Sequence, residues 1–106
     1  MPDSAFRYQF NESMDMDEVE AAFVLAIFAT ESIHGESDTR LHAEHTLDLK
    51  KRTCAVDGNT SVGRDLNRLF TGFLRREFGE NSFTVQKTDI PVSRTASDAL
   101  EVESAQ

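Results

Sequence analysis

Hydrophobic and polar residues alternate in four short stretches of the chain, as in β-strands with one buried face. The first stretch, Ala5–Phe10, places Phe6, Tyr8 and Phe10 on one side and polar residues on the other. The remaining stretches cover residues 40–49, 52–57 and 82–87. Because only two lysines separate the second stretch from the third, these two predict a hairpin.

Two longer segments have apolar residues at the spacing of an amphipathic helix. The first covers Met16–His34, where Asp15 can cap the N-terminus and Gly35 can end the helix. The second begins within GNTSVGRD, residues 58–65, and ends near Phe78. The core stripes predicted for the two helices are Val19, Ala22, Phe23, Ala26, Ile27 and Ile33, and Val62, Leu66, Leu69, Phe70, Phe73 and Leu74.

The order of these elements is β-α-β-β-α-β, which predicts an α+β fold of the ferredoxin-like kind. We expect a four-stranded antiparallel sheet with two helices on one face, since each strand has one apolar and one polar side. This domain is predicted to span residues 1–87. Residues 88–106 are acidic and poor in large apolar residues, so they are predicted to form a disordered tail. Many unrelated functions use such a fold, so the fold alone does not indicate one.

Composition excludes several classes of function. The 106 residues carry a net charge of −8, which argues against a nucleic-acid partner because phosphate backbones attract cations. The longest apolar run has nine residues, whereas a membrane span needs about 20. We expect no signal peptide, because no basic segment precedes an apolar one. The single Cys54 cannot form an internal disulfide, and a cytoplasmic location is therefore predicted.

The stretch GNTSVGRD resembles in spacing a phosphate-binding loop, G-x-x-x-x-G-K-[ST]. Arg64 replaces the lysine, and Asp65 replaces the hydroxyl residue and would repel phosphate. The simpler interpretation is a turn at Gly58 and a helix cap at Thr60 or Ser61.

An alternative for the same stretch is a site for a small anion or nucleotide at the start of the second helix. Free N–H groups and the helix dipole attract anions there. The residues predicted for this site are Thr60, Ser61, Gly63, Arg64 and Arg68.

Candidate chemical groups elsewhere are few. His42, Glu44 and His45 are close in sequence, but alternation along a strand would point them to different faces, so we expect no metal site. Cys54 is predicted to be buried as a small hydrophobe. No pair of catalytic residues can be placed from the sequence, so no cofactor and no enzymatic activity are predicted, although an active site between subunits stays open.

The first helix has more apolar residues than one buried face requires. In AAFVLAIFA, residues 21–29, the side chains of Val24, Leu25 and Phe28 lie off the core stripe. The second helix or the tail could cover them, or they could form a partner surface. We predict an interaction or assembly module that self-associates through this helix, with another copy or another protein as partner.

Charge is distributed unevenly along the chain. The net charge is −8 over residues 1–38, +3 over 39–87 and −3 over 88–106. The predicted second helix contains four arginines: Arg64, Arg68, Arg75 and Arg76. They form either a solvated face or a docking strip for an acidic partner, and the acidic first helix of another copy is one candidate.

Overall fold

The computed structural model of this protein describes residues 4–92, which form an α+β fold with a four-stranded antiparallel sheet and three helices. The strands pair in the order β2-β3-β1-β4. The elements are β1 (Ala5–Phe10), α1 (Met16–His34), α2 (Glu36–His42), β2 (His45–Asp48), β3 (Thr53–Asp57), α3 (Ser61–Phe78) and β4 (Phe83–Thr88), with a short 3₁₀ turn at Glu80–Ser82.

The main core forms where aromatic rings from β1, α1 and α3 meet. Phe70 on α3 lies at its centre, with ring centroids 5.1 Å from Tyr8, 6.2 Å from Phe10 and 4.8 Å from Phe23. In the sheet, Tyr8 lies opposite both Cys54 and Val85, so the alternating apolar residues of adjacent strands share one face. The apolar side predicted for β1 is therefore the core side.

The predicted helix ends are found close to the predicted positions. Asp15 accepts a hydrogen bond of 2.9 Å from the backbone N–H of Asp17, and Gly35 ends α1 with φ of 88°. Thr60 caps α3, and Gly79 follows it with φ of 89°. Positive φ favours glycine because it has no Cβ. Within residues 4–92, no helix is long and apolar enough to cross a membrane.

The predicted strand over 40–49 is wrong in its first half. Residues 36–42 form helix α2, and β2 is only His45–Asp48. Local contacts favour the helix: Arg40 pairs with Glu36 at 2.7 Å, and Thr39 donates from its hydroxyl to the Gly35 carbonyl at 2.8 Å. The alternation of apolar residues in this stretch therefore does not mark a strand, and helix α2 was not predicted.

One residue of the predicted core stripes and one apolar residue of the wrongly predicted strand are exposed. Ile33, near the end of α1, is 62% exposed, and Leu41 on α2 is 73% exposed. At this end of α1 the buried side passes through Thr30, which is fully buried, and His34, which contacts Asp65, so Ile33 lies off it. The other members of both predicted stripes are buried or partly buried against the core.

The second face of the sheet is partly covered by the chain that follows β4. Val92 is buried there together with Ala5 and Ala55. The Arg7 guanidinium donates hydrogen bonds to the carbonyls of Ile90 and Pro91 at 3.1 and 2.7 Å. Residues 88–92 of the predicted tail are thus in contact with the sheet, and residues 93–106 lie outside the described part of the chain.

Candidate interaction surface

An apolar strip runs along the outer side of α1. It consists of Ala21, Val24, Leu25 and Phe28, whose i, i+3, i+4, i+7 spacing places them on one side of the helix. Val24, Leu25 and Phe28 are 41%, 55% and 59% exposed, as expected from their positions off the core stripe. Within residues 4–92, neighbouring residues therefore cover these three side chains only in part.

A groove of about 420 Å³ lies beside the apolar strip, between α1 and α3. Leu25 belongs to both the strip and the groove, so the two form one continuous surface. The groove is mainly apolar, with charged groups at its rim. Its lining residues are Glu18, Ala21, Ala22, Leu25, Phe73, Arg76, Glu77 and Phe78.

Helices α1 and α3 run antiparallel beside each other. At one end, Nε2 of His34 lies 2.7 Å from Oδ2 of Asp65, which joins the end of α1 to the start of α3. Towards the other end, Leu25 and Phe73 line the same groove. Antiparallel helix dipoles bring opposite partial charges together, which favours this arrangement.

The outer sides of the two helices carry opposite charge. Helix α1 has four carboxylates and neither lysine nor arginine, and three of the carboxylates are exposed. Helix α3 has four arginines, all of them exposed, and two carboxylates, Asp65 and Glu77, so its net charge is +2. The carboxylates of α1 are Asp17, Glu18, Glu20 and Glu31, and the arginines of α3 are Arg64, Arg68, Arg75 and Arg76.

Gly72 lies in the middle of α3 without a neighbour that requires glycine. A Cβ built on Gly72 would have no atom within 4 Å, so open space lies over this position. Gly63 differs, because a Cβ there would lie 2.2 Å from the carbonyl oxygen of Asp57. Glycine in a helix interior is unfavourable, and no contact within residues 4–92 requires Gly72. The sequence pattern gave no indication of its setting or of the groove.

The residues of the predicted anion site lie together at the start of α3, but several of their polar groups are already in use. The Thr60 hydroxyl accepts from the Gly63 N–H at 3.0 Å and donates to the carbonyl of His42. Arg64 donates to the carbonyl of Gly58 at 3.2 Å. Ser61 is exposed and begins the helix. These contacts are those of a capped helix start, as in the simpler interpretation of GNTSVGRD.

Two further features of this helix start do not favour an anion. The Asp57 carboxylate accepts from the backbone N–H of Asn59 at 3.1 Å and places negative charge beside the first turn. Arg68 lies further along the helix, with Nη1 3.9 Å from Oδ1 of Asp65. The anion site therefore stays a prediction that no contact here specifically supports.

The described residues hold no group of three or more side chains suited to binding a metal ion. His42 lies on α2 and His45 on β2. The Nδ1 atom of His45 donates to the carbonyl of Ala43 at 2.9 Å, and its ring meets the Phe23 ring edge-on with centroids 4.9 Å apart. His45 is thus an exposed residue whose Nδ1 atom bonds to the backbone and whose ring packs against Phe23.

In the described part of the chain, burial keeps two titratable groups, Cys54 and Tyr8, in their neutral forms. Burial raises the pKa of the Cys54 thiol, and burial together with nearby Cys54 raises the pKa of Tyr8. The Tyr8 hydroxyl donates to the side-chain oxygen of Asn67. Neither group has the lowered pKa of an activated nucleophile.

Comparison of the chain with protein-family models, with curated proteins and with solved structures finds no significant match.

Proposed function

We propose that this protein is a small non-enzymatic interaction module of the cytoplasm that associates with itself through α1. The observation that carries the proposal is the exposure of Val24, Leu25 and Phe28 on one side of a single helix. Isolated exposed apolar residues are normal on protein surfaces, but a contiguous group beside an apolar groove is typical of a protein–protein contact. The proposed location is compatible with the free, buried thiol of Cys54.

We further infer that the fold is a ferredoxin-like sandwich in which the short helix α2 has been added. In both βαβ units the two strands flank a third strand: β3 lies between β1 and β2, and β1 lies between β3 and β4. This is the split arrangement expected of β-α-β-β-α-β chains. In such a sandwich α1 and α3 lie side by side on one face of the sheet, so their outer sides form a single surface.

The proposal is consistent with how the apolar residues of α1 are divided. Val19, Phe23 and Ala26 are almost fully buried in the monomer, and they suffice to attach the helix to the core. Val24, Leu25 and Phe28 add nothing comparable to the monomer, because about half of each side chain faces water. Burying such side chains against a second surface yields roughly 1.5–3 kcal/mol for each one that becomes fully buried.

The experiment that tests the proposal is sedimentation equilibrium of the full chain over a wide range of protein concentration. We expect a reversible dimer in the native protein and a monomer in Leu25→Asp and Phe28→Asp. The matched control is Leu41→Asp, which places the same charge at an exposed leucine on α2. A native protein that stays monomeric at all concentrations, or strip variants that dimerise like the control, would overturn the proposal.

A further inference from the structure

We propose that each copy in the dimer packs α1 onto α3 of the other copy, about a two-fold axis parallel to both helices. This inference rests on the proposed function, and it adds which surface of the second copy receives the apolar strip. The apolar strip of one copy is thus covered by the basic outer side of α3 of the other copy, and not by its α1. Three features support it. They are the positions of residues along the helix axes (their heights), the open space over Gly72, and the charges of the two helices.

Symmetry fixes which residues would meet. A two-fold axis parallel to the helices, midway between α1 and α3, leaves the height of each residue along that axis unchanged. It also carries α1 of one copy over α3 of the other. Each α1 residue then faces the α3 residue that lies at its own height in its own subunit. The side-chain contact between His34 and Asp65 sets those heights to within about one helical turn.

The height relation brings Phe28 to Gly72. Phe28 lies six residues before His34, and residue 71 lies six residues after Asp65. Since both helices rise equally per residue, Phe28 lies level with residue 71, beside Gly72. Phe28 is the most exposed large side chain of the apolar strip, and Gly72 has open space above it. In the dimer, the ring of Phe28 would pack over Gly72, and the absence of a side chain at Gly72 would leave room for that ring.

The same relation brings opposite charges together. Glu31 lies three residues before His34, and Arg68 lies three residues after Asp65, so these two residues share a height. The Arg68 side chain is 81% exposed, and its nearest carboxylate oxygen in the described structure is the one 3.9 Å away on Asp65. The two-fold axis would form the Glu31–Arg68 pair twice. At this height a carboxylate of α1, the half-buried Glu31, faces an arginine of α3 in both halves of the contact.

The opposite packing, α1 against α1 of the second copy, is less favourable on the same grounds. A two-fold axis perpendicular to the helices would face α1 with α1 and α3 with α3. The carboxylates of one α1 would then meet those of the other, and the arginines of α3 would meet each other. Like charges brought close together in an interface weaken association. Gly72 would also have no aromatic ring above it.

A charge exchange distinguishes the two packings. Sedimentation equilibrium is measured on the full chain for Arg68→Glu, for Glu31→Arg and for the variant that carries both changes. We expect each single variant to dimerise about tenfold more weakly, because an attraction becomes a repulsion at two symmetric places. The double variant should return to within about threefold of the native constant, because the charges merely exchange places. Matched controls are Arg40→Glu and Glu36→Arg, an exposed pair on α2.

Gly72→Leu gives an independent test through shape. The leucine side chain would enter open space in the monomer, so the far-ultraviolet circular dichroism should stay native, while dimerisation should weaken about tenfold. Dimerisation that is unchanged in Gly72→Leu and Arg68→Glu but lost in Phe28→Asp would overturn this packing and leave the proposed function standing. A native protein that is monomeric throughout would instead remove the proposed function and this inference together.

Discussion

Arg7 on β1 donates a hydrogen bond of 2.7 Å to the carbonyl oxygen of Pro91, 84 residues further along the chain. The same guanidinium reaches the carbonyl of Ile90 and the hydroxyl of Thr88. It holds the chain that follows the last strand against the sheet, where Val92 is buried. The folded unit therefore includes these residues and extends past the end of β4.

We predict that Arg7→Leu lowers the free energy of unfolding by about 2 kcal/mol, because hydrogen bonds from a charged donor to partly buried carbonyls are lost. Urea denaturation of the full chain measures this change. Amide exchange at Val92 should accelerate more than exchange at Phe70 in the main core. Arg64→Leu, which removes an exposed arginine with one backbone hydrogen bond, serves as control and should change stability much less. Equal effects of the two substitutions would contradict the role of Arg7.

The sequence predicted well wherever one strong period extended over many residues. The bounds of α1 follow from its caps at Asp15 and Gly35, and the core side of β1 follows from the alternation of Phe6, Tyr8 and Phe10. In both places the burial of an apolar face and the local hydrogen bonds favour the same element, so pattern and structure agree.

The sequence predicted poorly where short-range contacts compete with an apparent period. The alternation through Leu41 and Ala43 indicated a strand, but the Glu36–Arg40 pair and the hydroxyl of Thr39 stabilise a helical turn there. The apolar strip was predictable because its residues lie off a clear stripe. Gly72 was not, because only coordinates show that its surroundings are open.

A second prediction concerns Arg52, which is held with φ of 58° at the turn before β3. Its guanidinium donates to the carbonyls of Asn11, Glu12 and Met14, and so fixes the loop that leads into α1. We expect Arg52→Ala to lower the free energy of unfolding by about 2–3 kcal/mol, through lost hydrogen bonds to a charged group. Arg52→Gly loses the same bonds but relieves the left-handed backbone, so it should be about 1 kcal/mol more stable than Arg52→Ala. Thermal denaturation of both variants side by side measures the difference. If the alanine variant were the more stable, the backbone at this position would not be strained.

A third prediction uses two glycines of the same helix as a matched pair. Alanine at Gly63 would place Cβ 2.2 Å from the Asp57 carbonyl, so β3 and the first turn of α3 would have to separate. We expect a loss of several kcal/mol for Gly63→Ala, about the size of a severe core substitution. Gly72→Ala meets no atom and should add about 1 kcal/mol to the stability of the monomer. Denaturation at a concentration where the protein is monomeric separates these effects from association. Equal destabilisation by the two substitutions would contradict the open space over Gly72.

A fourth prediction follows from the buried thiol of Cys54, whose pKa is raised by burial. Because the pKa is higher in the folded chain than in the unfolded chain, the stabilising effect is complete below the unfolded value of about 8.5 and decreases as the pH rises above it. The free energy of unfolding should therefore fall above about pH 8.5, by up to about 1.4 kcal/mol per pH unit from this group. Tyr8, also raised by burial, adds a second decrease above about pH 10. Cys54→Ala should flatten the profile between about pH 8.5 and 10 while leaving the Tyr8 decrease in place. Urea denaturation across this range checks the prediction, and parallel profiles for the native protein and Cys54→Ala would contradict it.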